Sequence, residues 1–214
     1  QKSKQEIIDL SIKNTDFLLE MNCKLIVVAC NTATTNAIQE LRAKYTVPFI
    51  GIEPAIKPAA TNSKTQTIGI LATKGTLNSE LFHRATEMFQ DTRIVEQVGH
   101  GLVQLIEGGQ INSIEMEQLL HSYLQPMIEA NIDYLVLGCS HYPYLIPQIK
   151  KMLPDHIQII DSGQAVARQT QKVLQEKVGV SYIKNPKPVF YSNTDMSVLN
   201  AILKNKYTAE QINF

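Results

Sequence analysis

Short, continuously apolar runs alternate along this chain with longer stretches of helical spacing. The runs 24–30 (KLIVVAC), 47–52 (VPFIGI), 67–73 (TIGILAT), 93–99 (RIVEQVG), 134–139 (YLVLGC), 157–162 (IQIIDS) and 188–192 (PVFYS) have strand length and β-branched content. Between them, residues 34–45, 77–89, 113–130, 142–153 and 163–177 set apolar positions three and four apart and predict helices. The polar opening QKSKQEIIDL also reads as helix. Strands apolar on both faces, separated by helices, predict a mainly parallel sheet covered on both sides, an α/β fold. Residues 51–66, with Pro54, Pro58 and a polar stretch, read as a crossover between two halves, and 161–166 as the crossover back. The expected organisation is 1–54 plus 163–214 as one α/β domain and 55–162 as a second, with the site in the cleft between them.

Ligands of such sheets bind beyond the carboxyl ends of the strands, and two of the predicted strands end there in a thiol, Cys30 and Cys139. The segments leading to them echo each other. Residues 17–31 read FLLEMNCKLIVVACN and residues 126–140 read PMIEANIDYLVLGCS, with Glu20, Asn22, Val27 and Cys30 falling on Glu129, Asn131, Val136 and Cys139. Halves related by a pseudo-two-fold axis would bring the two thiols to flank one small molecule. A thiolate on each face is what inversion of an acidic C–H centre by two bases requires. One removes the proton and the other delivers a proton to the far side, and cysteine suits both roles because its pKa of about 8.5 responds to neighbouring charge. Both cysteines are expected to precede a helix, whose free N–H groups favour negative charge nearby. Asn31, Thr32, Thr34, Thr35 and Ser140 supply neutral donors and acceptors, with Thr34 and Thr35 read first as N-caps. His141, two residues beyond Cys139, is the candidate proton partner of that thiol.

Composition narrows the choice. Twenty basic residues balance twenty acidic ones, so no broad polyanion-binding surface, and hence no nucleic-acid partner, is expected. No apolar run approaches the roughly 20 residues of a membrane span, and the polar start does not resemble a signal peptide. Three cysteines, Cys23, Cys30 and Cys139, with no CxxC spacing, argue against a disulfide framework or a zinc cluster and fit a reducing cytoplasm. Cys23 precedes its strand and reads as packing.

ACNTAT (29–34) together with LGCSHYP (137–143) resembles the glutamate racemases, within the cofactor-independent aspartate/glutamate racemase superfamily. The resemblance extends to LATKGTLNSELF (71–82), GLVQLIEGG (101–109) and IIDSGQAVA (159–167), and so to nearly the whole chain. It implies two pseudo-symmetric α/β halves, with Cys30 and Cys139 as catalytic thiols, one for each enantiomer of glutamate. It further implies Glu107 and His141 as catalytic-site partners, and substrate contacts from Asn31, Thr32, Ser140, His141 and Thr76. No metal and no pyridoxal phosphate would take part. The product would be D-glutamate for peptidoglycan, and a homodimer is an open expectation. Ser140 stands where the family usually has threonine. The family's N-terminal strand with its Asp-Ser pair, and the Pro-Tyr-Gly loop after it, find no match here, because the chain begins just past that loop. Weak activity of these 214 residues on their own is therefore expected. Rival readings are an aspartate or hydantoin racemase, or a non-catalytic small-molecule binder of the same fold. A pyridoxal enzyme fits poorly, since Lys57 lies next to a proline and no Gly-rich phosphate loop follows a strand. A thiol hydrolase would leave Cys30 unexplained.

Overall fold

The computed structural model describes residues 2–179, 187–204 and 206–213. Strand and helix alternate as the hydrophobic pattern predicts. A four-stranded sheet has the order β4-β3-β5-β6, from β3 (Thr67–Ala72), β4 (Arg93–Val98), β5 (Tyr134–Gly138) and β6 (Gln158–Ile160), and every pairing is parallel. β1 (Ile26–Val28) and β2 (Phe49–Gly51) form a separate parallel pair. A short third pair joins β7 (Phe190–Ser192) to β8 (Ala209–Gln211).

The two-residue period of a strand decides what each side chain covers. Ile68, Ile70 and Ala72 of β3 and Val136 of β5 pack under α3 (Ile56–Asn62) and α5 (Glu80–Glu87), around Ile56, Ala59 and Phe82. Leu71, Leu135 and Leu137 face the other way, into a core shared with α6 (Leu102–Glu107), α7 (Ile114–Glu129) and α8 (Ile146–Met152). Cys139 continues the series 135, 137 and joins this second core. Each fully buried Leu or Ile contributes about 1.5–3 kcal/mol, so the register of β5 is firmly set. A third core gathers Ile8 of α1 (Lys4–Glu20), Ile26, Phe49, and Ala37, Ile38 and Leu41 of α2 (Asn31–Lys44), with Cys23 partly buried against it.

The echo in the sequence is an echo in the backbone. α1 and α7 end in the same way, each with an asparagine in the left-handed region, Asn22 at φ 61° and Asn131 at φ 60°. The closing bonds correspond pair by pair. Cys23 N donates to Leu18 O and Ile132 N to Met127 O, while Asn22 N donates to Leu19 O and Asn131 N to Ile128 O. Asparagine tolerates this conformation where other residues pay for the Cβ clash.

Several boundaries differ from the sequence reading. α2 starts at Asn31, with Cys30 as its N-cap residue, so Thr34 and Thr35 lie inside the helix and are not caps. Thr34 Oγ1 donates to Val28 O at 3.0 Å and accepts from Ile52 N at 3.1 Å, locking α2 to the ends of β1 and β2. Thr35 Oγ1 donates to Asn31 O at 2.9 Å. After Cys139 no α-helix begins directly; a 3₁₀ turn, Tyr142–Leu145, comes first. The first crossover contains the short α3, and residues 163–177 divide into α9 (Gly163–Val173) and a π turn, Leu174–Val178. Asp161 Oδ1, one residue before the N-cap Ser162 of α9, accepts from Gly163 N at 2.7 Å, whereas Ser162 donates to Glu53 O and so ties the two crossovers together. The pattern did not reveal α4 (Lys74–Leu77), α6, α10 (Met196–Leu203) or β8. Among the described residues no helix is long and apolar enough to cross a membrane.

Candidate active site

The strand ends do converge. Cys30, Asn31, Thr32, Cys139, Ser140 and His141 all line one cavity of about 180 Å³. That is below the roughly 300–1,000 Å³ of sites for drug-sized ligands and suits a molecule the size of an amino acid. Thr76 and Glu107, the other two candidates, stand immediately behind this lining and touch it through hydrogen bonds. Thr73, Val103 and Gly138 also line the cavity and were not singled out from the sequence. The signal for Thr73 was present in LATKGT, where only the second threonine drew attention.

The two thiols have unlike surroundings. Cys30 is exposed, at the N-terminus of a 14-residue helix whose first N–H groups have no intrahelical partner. Cys139 is 7% exposed, because β5 is an interior strand between β3 and β6. Burial pushes its thiol from 9.0 up to about 11, against the pull of the His141 and Tyr142 backbone N–H groups, and the nearby Cys30 and Glu107 raise it further. Cys139 therefore rests as a neutral thiol at physiological pH.

A side-chain relay backs that thiol. Cys139 Sγ and His141 Nδ1 are 3.9 Å apart, and His141 Nε2 lies 3.0 Å from Glu107 Oε1. Glu107 reaches this place because α6 is held between glycines. Gly101 at its N-cap has φ 78°, a value that favours glycine, and Gly108 follows at the C-cap. Tyr142, fully buried, donates from its hydroxyl to Gly99 O at 3.2 Å. A Cβ on Gly99 would lie 2.3 Å from that hydroxyl, so glycine is what lets the His141 turn dock against the β4–α6 connection.

On the other wall three hydroxyls meet. Thr32 Oγ1 is 2.7 Å from Thr73 Oγ1 and 3.2 Å from Thr76 Oγ1, and Thr73 and Thr76 are 3.0 Å apart. Asn36 Nδ2 donates to Thr32 O at 2.8 Å and to Gly75 O at 3.1 Å. One polar atom stands out. Asn31 is 3% exposed, and its Oδ1 is buried without a hydrogen-bond partner. An unpaired buried acceptor costs about 1–3 kcal/mol, which a donor on a bound molecule would relieve. Among the described residues, no group of three His, Cys, Asp or Glu side chains is placed to hold a metal ion.

A thiol at the head of a helix, a buried thiol with a His–Glu relay, and a small cavity between them that Thr32, Thr73 and Ser140 help to wall can move a proton on and off a small anionic molecule. Proteins similar to this chain in sequence and in fold are racemases. The Asp/Glu/Hydantoin racemase family matches residues 5–170. A glutamate racemase of Ralstonia pickettii (strain 12J) is 42% identical over 204 residues, 95% of this chain and 72% of its own. Among solved structures, a glutamate racemase isoform from Bacillus anthracis superposes with a TM-score of 0.88 at 27% identity, over 100% of this chain and 82% of that one. The Escherichia coli glutamate racemase, solved with L-glutamate and the activator UDP-MurNAc-ala, gives 0.86 at 28% identity, over 99% and 83%. The chain belongs to the Asp/Glu/Hydantoin racemase family, among its glutamate racemases.

Proposed function

We propose that this protein interconverts L- and D-glutamate by two-base proton transfer at Cα, with Cys30 and Cys139 working on opposite faces of the substrate. The observation that carries the reading is that thiols from two different sheets line one amino-acid-sized cavity. In one direction the Cys30 thiolate takes the Cα proton. The C–H bond breaks, an S–H bond forms, and the electron pair is spread onto the α-carboxylate. The Cys139 thiol then gives its proton to the other face, which leaves the two sulfurs with their protonation states exchanged. The opposite enantiomer is processed in reverse. His141, backed by Glu107, returns the Cys139 side to its starting state.

Binding in this reading falls to the residues around the thiols. Asn31 Oδ1 accepts from the substrate ammonium, and Thr32, Ser140 and the His141 turn supply donors to its carboxylates, while Thr76, expected from the resemblance as a direct contact, acts through its hydrogen bond to Thr32. Preorganised donors of this kind stabilise the charge that develops in the transition state without a pyridoxal ring or a metal. The split of the chain into 1–54 plus 163–214 and 55–162 is part of the proposal. It is supported by the sheets, because β1 and β2 pair apart from β3 to β6. A cytoplasmic enzyme that supplies D-glutamate for peptidoglycan, working as a homodimer, completes it; light scattering checks the dimer.

The test uses the full-length protein and follows racemisation by circular dichroism. Cys30→Ser and Cys139→Ser each reduce racemisation to background, while each retains slow, one-sided elimination on a substrate with a good leaving group. Cys23→Ser keeps full activity. Chelators and added pyridoxal phosphate change nothing. Racemisation at the wild-type rate by either single active-site variant would sink the assignment.

A further inference from the structure

Asparagine is a poor choice inside a helix, because its amide competes for backbone bonds. Asn36 nevertheless sits in the second turn of α2, in the middle of the helix that carries Cys30, Asn31 and Thr32 near its start. Both of its N–H groups are engaged. One closes back on Thr32 O at 2.8 Å, within the helix; the other crosses to Gly75 O at 3.1 Å, 39 residues away. That carbonyl is open to an outside donor, since Ser79 N, its natural helical partner, bonds instead to Thr76 O at 3.1 Å. The approach is tight, for a Cβ on Gly75 would lie 2.7 Å from Thr32 Cγ2.

We infer that Asn36 is a positioning residue for the racemase reaction: its amide clamps the first turn of α2 to the Thr73–Thr76 turn and so fixes where the Thr32 hydroxyl, on the cavity wall with Thr76 bonded behind it, meets the substrate. The inference rests on the glutamate reading above. The hydroxyl cluster shows why a clamp is needed. Thr73 Oγ1 caps the Thr76 N–H at 3.3 Å, so its own O–H can donate to Thr32 or Thr76. A hydroxyl that accepts from Thr73 is free to aim its own proton into the cavity. This holds only while α2 and the Thr73–Thr76 turn keep the 2.7–3.2 Å spacing of the three oxygens. Loosening Asn36 lets the two walls drift apart. Binding then suffers before chemistry, because Cys139 and the His141–Glu107 relay lie outside the clamp, and Cys30 at the head of α2 is held separately by Thr34 N on its carbonyl at 2.8 Å.

The experiment compares wild type, Asn36→Asp and Asn36→Leu in the full-length protein. Asn36→Asp keeps the shape but sets a carboxylate against two carbonyls, and Asn36→Leu keeps the bulk without donors. Both are expected to raise KM for glutamate about tenfold, the usual scale for stranding a buried acceptor, with kcat within about threefold. Amide hydrogen exchange in segment 73–79 should speed up in both, and thermal unfolding of at least one variant should stay close to wild type. Wild type is assayed first: if it binds no glutamate by calorimetry, the glutamate reading fails and the proposal with it. If wild type binds and racemises glutamate while both variants keep its KM and exchange rates, the proposal alone is overturned. A fall in kcat with KM unchanged overturns it as well.

Discussion

Two cysteines in matching sequence positions have opposite environments, and the difference is electrostatic as much as geometric. Cys139 is desolvated, with its thiol raised from 9.0 to about 11, and this has a consequence for stability. An acid whose pKa is raised by folding keeps its proton in the native state where the unfolded chain has lost it. Its contribution is complete below pH 9 and falls away as pH rises toward 11. At 1.36 kcal/mol per unit the loss is about 2–3 kcal/mol. Denaturant unfolding should therefore show wild type losing about 2 kcal/mol more than Cys139→Ala between pH 8 and 10.5. Burial raises Tyr142 in both proteins, so it largely cancels from the comparison. Parallel curves would mean that the thiol is well solvated. The relay makes a separate prediction. His141→Asn removes the group 3.9 Å from the sulfur, and should lower kcat by about 10²–10⁴-fold, the usual worth of a general acid–base. Glu107→Gln, which keeps a hydrogen bond but not the charge, should lower it less. Equal losses in the two variants would make the carboxylate, rather than the imidazole, the active partner.

At the scale of elements, the pattern of apolar runs was enough to place β1 to β7 and to forecast parallel pairing, because strands buried on both faces leave an unbroken apolar record. Ends were harder to read. Nothing in NTATTNAIQEL marks Asn31 rather than Thr34 as the first helical residue; the start is set by Thr34 bridging β1 and β2, a tertiary contact. Likewise the unequal burial of Cys30 and Cys139 follows from strand neighbours, which no local pattern encodes. Thr76 and Glu107 came from family resemblance, while Asn36 was not singled out, because its partner Gly75 lies 39 residues away. The internal repeat was legible, and the matched left-handed asparagines allow it to be tested. Asn22→Ala and Asn131→Ala should each cost about 1 kcal/mol in denaturant unfolding, from the strain of a Cβ in this region. Asn22→Gly and Asn131→Gly should be close to neutral. Divergent responses at the two sites would show that the repeat is one of backbone trace and not of energetics.

On the proposed two-base reading the work is divided between a sheet that offers an exposed thiol and a sheet that buries the other, and the isotopic course of the reaction reports that division. The two enantiomers of glutamate are equal in energy, so the equilibrium constant is unity and kcat/KM must be the same in both directions. A mutation on either side of the cavity therefore lowers both values by one factor. Direction-specific effects appear only in isotope flow. In D2O, the sulfur that acts as donor carries a solvent deuteron, while the one that acts as base is a thiolate. If one sulfur removes the Cα proton and a different sulfur reprotonates the far face, D-glutamate formed first from L-glutamate is almost wholly deuterated at Cα. The remaining L-glutamate stays protiated until the reaction has run well toward equilibrium. A single base that swings between faces would instead return much of the original proton to the product. Proton NMR at low conversion distinguishes the two, starting from each enantiomer in turn. The first-formed product should be deuterated in both directions, because buried Cys139 and exposed Cys30 each serve as donor once. Protium retained in either product would restrict proton transfer to one sulfur and would break the two-base reading.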